Sequence, residues 1–273
     1  MAVTSVNTFG LSEEQVMMRD SVLDLLERVM PADKIRKLDK AGEFPHEAFR
    51  ALAKAGWLGI IYPEKFGGMG GSYKDLAVLV EAMAYHYGGI ATAFLTTVIY
   101  AGMHVNLYAR PEVAAVIMPE VIAGEAPMSV AITEPGTGSD VAQITTSAKR
   151  DGDHFVINGT KMYITCAHVA RYIVVVTKTN PAETHRGVTL FLVDTRSPGV
   201  TVRPLETLGR HTKLGASLLV MSIVGGAIIP AAMGWISDRL SIQTAFALPL
   251  VCYGYVLYFA LRGHVAKPSG VLP

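Results

Sequence analysis

The feature that most constrains this chain is a change of hydrophobic period near residue 125. Before it, apolar side chains recur at helical spacing; after it, they alternate. Ser12-Glu13-Glu14-Gln15 has the form of a capping box, and Met18, Val22, Leu25, Leu26 and Val29 fall on one face of the helix it opens. Pro31 ends that helix. Ala32–Ala41 reads as a solvated helix, and Pro45 sits where an N1 proline opens a helix that Gly56 terminates. Gly67, Gly68, Gly70 and Gly71 dominate a loop read as a flexible inter-helix turn rather than a phosphate cradle, since it lacks a Lys-Ser/Thr ending. Ser72-Tyr73-Lys74-Asp75 is a second capping box, leading into Tyr73–Tyr87. Ile90–Ala109 is apolar almost all round, which predicts a buried core helix with His104 as a satisfied core histidine. Pro111–Ala123 gives the last helix.

After the switch, Val130–Ile132, Ile144–Lys149, His154–Ile157, Lys161–Thr165, Tyr172–Thr177, Thr189–Asp194 and Val200–Pro204 read as strands. Asp151-Gly152 and Asn158-Gly159 are hairpin turn signals. With no helix between the strands, the expectation is an α+β chain: an all-α domain over 1–125, then an antiparallel β-barrel or sandwich over 126–212.

Composition breaks again near Lys213. From Leu214 to Pro273 the only formal charges are Asp238, Arg239, Arg262 and Lys267. The uncharged runs Leu214–Ser237 and Leu240–Leu261 each exceed the ~20 residues a helix needs to cross a bilayer. Residues 213–273 are therefore expected to form a two-helix, transmembrane-like hairpin, with Gly225, Gly226, Ala227, Ala231 and Gly234 as a small-residue stripe. That places a cytoplasmic head on an inner or plasma membrane anchor. A net charge of +1 gives no electrostatic case for nucleic acid. Cys166 and Cys252 suggest neither a disulfide framework nor a metal site, and fit a reducing compartment. The N-terminus lacks a signal-peptide pattern.

The candidate binding stretch is Met128 to Thr165. Its strand runs into Thr133-Glu134-Pro135-Gly136-Thr137-Gly138-Ser139-Asp140, where proline and glycine forbid a regular ladder. Bare amides and the hydroxyls of Thr133, Thr137 and Ser139 could bond a ring edge or an anion. From the residues alone, a ligand loop and a plain glycine-rich turn both stand.

AITEPGTGSD followed by KMYIT resembles the acyl-CoA dehydrogenase family. So do LSEEQ, AGWLGIIYPEKFGGMGG, PEVIAGE and PGVTVRPLETLGR, in order, from about Phe9 to Arg210. The resemblance implies FAD as cofactor, an acyl-CoA thioester as substrate and an electron-transfer flavoprotein as partner. It implies that Thr133 contacts the isoalloxazine edge, that the Ile132 backbone holds the pyrimidine side, and that Ser139 lies near the phosphopantetheine arm. Val130 stands in the same segment, where the family has an aromatic or small residue. In the second segment, Tyr163 stands at the family's aromatic position against the ring, Ile164 beside it, and Thr165 toward flavin N5. Glu134 and Asp140 are the nearest carboxylates, but Glu134 is read as stabilising the turn rather than as a base.

The resemblance stops at Arg210. The family's C-terminal helical domain, which supplies its catalytic glutamate and oligomer interface, has no counterpart here. No catalytic residue is assigned, and dehydrogenation by this chain alone is not expected. The tail from Leu214 resembles the last two helices of a sugar permease of the major facilitator superfamily, L-fucose–proton symporter type. The alternative to a flavoprotein is therefore a membrane-tethered fragment or chimera without an evolved catalytic function.

Overall fold

A computed structural model describes residues 10–184, 186–203, 233, 235–245, 249 and 254. The helical unit consists of α1 (Glu13–Val29), α2 (Ala32–Ala41), α3 (His46–Lys54), α4 (Tyr73–His86), α5 (Gly88–Tyr108) and α6 (Pro111–Ile122). Both capping boxes form. Ser12 and Gln15 exchange side-chain bonds with each other's backbone amides, as do Ser72 and Asp75. The Gln15 amide also donates to the Asp75 carboxylate at 2.7 Å, so the starts of α1 and α4 are tied together. Pro45 is the cap of α3, one residue earlier than its expected N1 position.

Val22 and Leu26 of α1, Phe49 and Leu52 of α3, Leu79 and Met83 of α4, Ile90 and Phe94 of α5, and Met118 of α6 share one core. Helix α5 is long and apolar enough to cross a membrane, yet more than half of its apolar window is buried in the protein, as expected for a core helix. It is not uniformly α-helical. Leu95–Gly102 winds with the wider π pitch, which loosens the backbone ladder and often marks a functional segment. The buried Tyr62 phenol donates to Val98 O at 2.6 Å within that segment, and burial pushes its pKa above the ordinary phenol value. Gly102 makes room: a Cβ there would lie 1.9 Å from the Tyr62 hydroxyl oxygen.

The glycine loop before α4 is a hydrogen-bonded knot. Amides of Gly67, Gly68, Met69, Gly70 and Gly71 donate to the carbonyls of Glu64, Pro63, Gly59, Tyr62 and Ile60. Each of those amides is thus engaged internally, so the loop has none to offer a phosphate. Close packing on Tyr62 and Ile60 explains Gly68 and Gly71, and positive φ values of 88° and 63° explain Gly67 and Gly70.

The β unit comprises β1 (Met128–Ala131), β2 (Ser147–Asp151), β3 (His154–Asn158), β4 (Tyr172–Lys178) and β5 (Val188–Asp194). It corrects the expected antiparallel barrel or sandwich: among the described residues the sheet is mixed and does not close. Its order is β1-β4-β2-β3, with β5 also on β4. Strand β4 runs parallel to β1, with Met128 opposite Tyr172 and Ala131 opposite Val175. It is antiparallel to β5 and meets β2 in parallel only at Ser147 and Lys178. The β2–β3 hairpin forms at the expected Asp-Gly turn, with Gly152 at φ 58°. Neither Lys161–Thr165 nor residues 201–203 are strands. In the first case Tyr163 and Cys166 take positive φ values of 60° and 59°, which no ladder tolerates.

The two units meet at β1. Met128 belongs to the helical core, its amide donates to Thr97 Oγ1 of α5 at 3.2 Å, and the Tyr172 hydroxyl of β4 donates to Glu120 of α6 at 3.2 Å. The hydrophobic hairpin expected over 213–273 lies for the most part outside the described residues. Of it, Ile242–Ala245 is a short helix, and Arg239 sits over the Trp235 ring.

Candidate functional site

Beyond β1 the chain makes a two-residue turn. Glu134 and Thr137 exchange backbone bonds at 2.9 and 3.1 Å around Pro135-Gly136. The Thr137 hydroxyl is spent on Gln143 O at 3.1 Å, and the Asp140 carboxylate accepts the Ala142 amide. Glu134 is 4% exposed and anchors the turn. Its carboxylate accepts from the Thr145 amide at 2.7 Å, the Thr145 hydroxyl at 2.6 Å, the Thr146 amide at 2.9 Å and the Lys161 ammonium at 2.9 Å. Burial alone would raise its pKa, but the hydrogen bonds from Thr145, Thr146 and Lys161 outweigh it and hold the carboxyl well below the usual range. A carboxylate so engaged is a structural anion, as expected, and a poor proton acceptor.

Lys161 also donates to Ile132 O at 2.8 Å, and the Met162 amide donates to Thr133 O at 2.8 Å. Ser129 Oγ donates to Thr165 O at 2.7 Å. Residues 161–165 therefore lie antiparallel along β1, fastened at both ends and unlatched between. Within the described residues, no hydrogen bond engages the amides of Thr133, Tyr163, Ile164 or Thr165. The residues that carry them line a cavity of about 370 Å³, together with Val130 and Ile132 from the β unit and Thr96, Tyr100 and His104 from α5. That volume lies in the range of small-molecule sites, roughly 300–1,000 Å³.

Six of the sequence-derived residues thus converge, and Ser139 does not: it is exposed on the turn, outside the lining. The α5 residues were not anticipated, and His104 was expected to be an ordinary core histidine. Their signal is legible in retrospect, for Thr96, Tyr100 and His104 place polar atoms at four-residue spacing along one line of a mostly apolar helix. Instead His104 lines the cavity, with Nδ1 2.5 Å from Tyr100 O. Beside Thr165, burial pushes the Cys166 thiol up in pKa despite a hydrogen bond with Thr96.

The model of the acyl-CoA dehydrogenase N-terminal domain matches residues 12–125, and that of the acyl-CoA dehydrogenase middle domain matches residues 129–219. Among curated relatives, a subunit of the caffeyl-CoA reductase-Etf complex of Acetobacterium woodii is 32% identical over 192 residues, covering 70% of this chain and 50% of that protein. Mitochondrial isovaleryl-CoA dehydrogenase of Pongo abelii is 32% identical over 212 residues, covering 73% and 48%. The crystal structure of an acyl-CoA dehydrogenase from Geobacillus kaustophilus superposes with a TM-score of 0.67 at 31% identity, covering 74% of this chain and 54% of that one. The chain spans about half the length of the relatives it matches.

Proposed function

The chain belongs to the acyl-CoA dehydrogenase family, and from that premise we propose that the cavity seats the isoalloxazine of FAD beside an acyl-CoA thioester. The reaction class is α,β-dehydrogenation of the acyl group, or in the reverse sense the reduction that the name of the Acetobacterium relative describes. The observation that carries the reading is the meeting of Val130, Ile132 and Thr133 with Tyr163, Ile164 and Thr165 on one cavity, with four of their amides left unpaired among the described residues.

The donor set fits a flavin. An isoalloxazine edge needs neutral donors along its heteroatoms, and a loop of free amides and hydroxyls supplies them without adding charge. Thr133 and the Ile132 backbone would hold the pyrimidine side, Thr165 the central edge, with Tyr163 and Val130 against the ring and Ile164 between. Bound FAD supplies a two-electron acceptor for hydride from the acyl β-carbon. The chain's own contribution is to orient that acceptor and keep water from one side of it. Ser139, out on the turn, would meet the pantetheine arm at the entrance. Glu134 holds the loop and takes no proton, and no residue is assigned as the base. An electron-transfer flavoprotein is the proposed redox partner, in keeping with the complex named for the Acetobacterium protein.

The test is fluorescence titration of FAD with the purified full chain. Saturable quenching is expected, weakened by Thr133→Val and by Thr165→Val. Flavin emission unchanged by excess protein refutes the reading. A second reading rests on the two uncharged runs at 214–237 and 240–261: a membrane-tethered head. It requires that the chain stay with membranes through alkaline extraction, and release into the supernatant rejects it.

A further inference from the structure

The α5 share of the cavity carries chemistry that flavin binding does not use. His104 Nδ1 lies 2.5 Å from Tyr100 O. A carbonyl oxygen only accepts, so Nδ1 holds the proton, and in the neutral ring Nε2 is left as a lone-pair acceptor. Nε2 has no partner among the described residues. The Thr96 hydroxyl cannot serve it, being spent on Thr92 O at 2.7 Å. The lining contains no carboxylate, ammonium or guanidinium, so nothing there compensates a charged ligand terminus. Beyond the Tyr163 ring assigned to the flavin, the α5 side contributes one large flat side chain, Tyr100, 52% exposed. An aromatic face, no formal charge and a vacant ring-nitrogen acceptor beside it suit a planar, uncharged group that brings a hydrogen-bond donor.

We infer that the acyl group taken by this site is a hydroxylated aryl-acyl group, and that His104 determines that specificity by accepting a hydrogen bond from the hydroxyl at Nε2. The inference rests on the flavin-site reading of the same cavity. It assigns His104 no part in bond breaking. Tyr100 is the positioning residue, because its carbonyl fixes which ring nitrogen carries the proton.

The test compares CoA thioesters of 3-phenylpropenoic acid and of its para-hydroxy and para-methoxy derivatives by isothermal titration calorimetry on the FAD-supplemented full chain. All three acyl groups already carry the α,β double bond, so binding is read without turnover. One neutral hydrogen bond is worth about 1 kcal/mol, so the hydroxylated ester should bind about 5- to 10-fold more tightly than the parent. The methoxy ester, which keeps the oxygen but lacks the proton, should show no such gain. His104→Phe should abolish the preference, His104→Gln should restore part of it through its amide oxygen, and Tyr100→Phe, which keeps the backbone carbonyl, should retain it. Equal affinity for parent and hydroxylated esters, a methoxy ester as tight as the hydroxylated one, or a preference that survives His104→Phe overturns the inference. Because the methoxy comparison uses only the wild-type chain, it decides the matter even if His104→Phe fails to fold. Flavin quenching without thioester binding overturns this inference alone; loss of both overturns the reading beneath it as well.

Discussion

Replacing Glu134 is the most searching test of how the loop is held. Its carboxylate joins three segments: the turn after β1, the Thr145-Thr146 pair before β2, and Lys161. Glu134→Ala would strand two backbone amides and leave the Lys161 ammonium, 9% exposed at its side chain, with only Ile132 O. Losing one member of a buried ion pair costs about 3–5 kcal/mol. The unpaired amides would each add about 1–3 kcal/mol if nothing relaxed. Lys161 can extend its head to water on a flexible stem, which offsets part of that sum. The expected loss is therefore about 4 kcal/mol, a urea midpoint lower by about 2 M for a typical slope. Lys161→Met leaves three donors on the carboxylate and should cost about 1–2 kcal/mol. Acidity gives an independent arm. The folded-state pKa of Glu134 is depressed, so its contribution is complete above the unfolded value of about 4.3 and drains away as pH falls toward the folded value. The stability gap between wild type and Glu134→Gln should narrow steadily from about pH 5 downward. Urea unfolding of the full chain, followed by far-ultraviolet circular dichroism, measures both. A Glu134→Ala loss below about 1 kcal/mol, or a gap that does not change with pH, refutes the account of Glu134 as a buried structural anion.

Gly68→Ala should cost about 3 kcal/mol, because its Cβ would lie 2.1 Å from Tyr62 O, a backbone atom that cannot swing aside. Thermal melts against wild type would show it, and an unchanged midpoint contradicts the close approach. Tyr62→Phe removes the donor to Val98 O and should cost about 1–3 kcal/mol by urea unfolding. Thr165→Val should weaken FAD about 5- to 10-fold in the quenching titration while leaving the melting midpoint near wild type, since its hydroxyl has no protein partner among the described residues.

Much of the helical unit was legible because its signals are local. Ser12 and Ser72 announce their helices, Pro111 sits at N1 where expected, and Pro31 marks the boundary between α1 and α2. The sheet was less legible because its defining pairs are distant in sequence. Alternation identifies strands at Val130–Ile132 and Tyr172–Thr177, which form as Met128–Ala131 and Tyr172–Lys178, but says nothing of their being parallel neighbours, and a hairpin-by-hairpin reading then supplies antiparallel pairs by default. The π segment of α5 was equally hidden. It packs on Tyr62, which meets Val98 O and Gly102, a contact between segments far apart in the chain.

The most instructive miss is Lys161–Thr165, where β-branched and aromatic residues predict a strand. The stretch does lie beside β1 as a strand would. Had it completed a ladder, alternate amides would have found carbonyls on the β1 side, and three in a row could not have stayed free. Instead the positive φ at Tyr163 turns the backbone out of register, at a cost of order 1–3 kcal/mol for a non-glycine residue held there. What holds it in that state is at the ends: Met162 on Thr133 O, Lys161 on Ile132 O and Glu134, and Ser129 on Thr165 O. The strain keeps three consecutive amides free beside a cavity, which a relaxed strand could not do. Restoring the ladder would stabilise the sheet and take donors from the proposed flavin edge. Tyr163→Gly relieves the strain, because glycine adopts a positive φ freely, and it leaves the hydrogen bonds at Met162 and Ser129 in place. The unfolding midpoint should therefore stay near wild type or rise, while flavin binds more weakly through loss of the aromatic side chain laid against the ring. A thermal midpoint clearly below wild type refutes the account of Tyr163 as a strained residue.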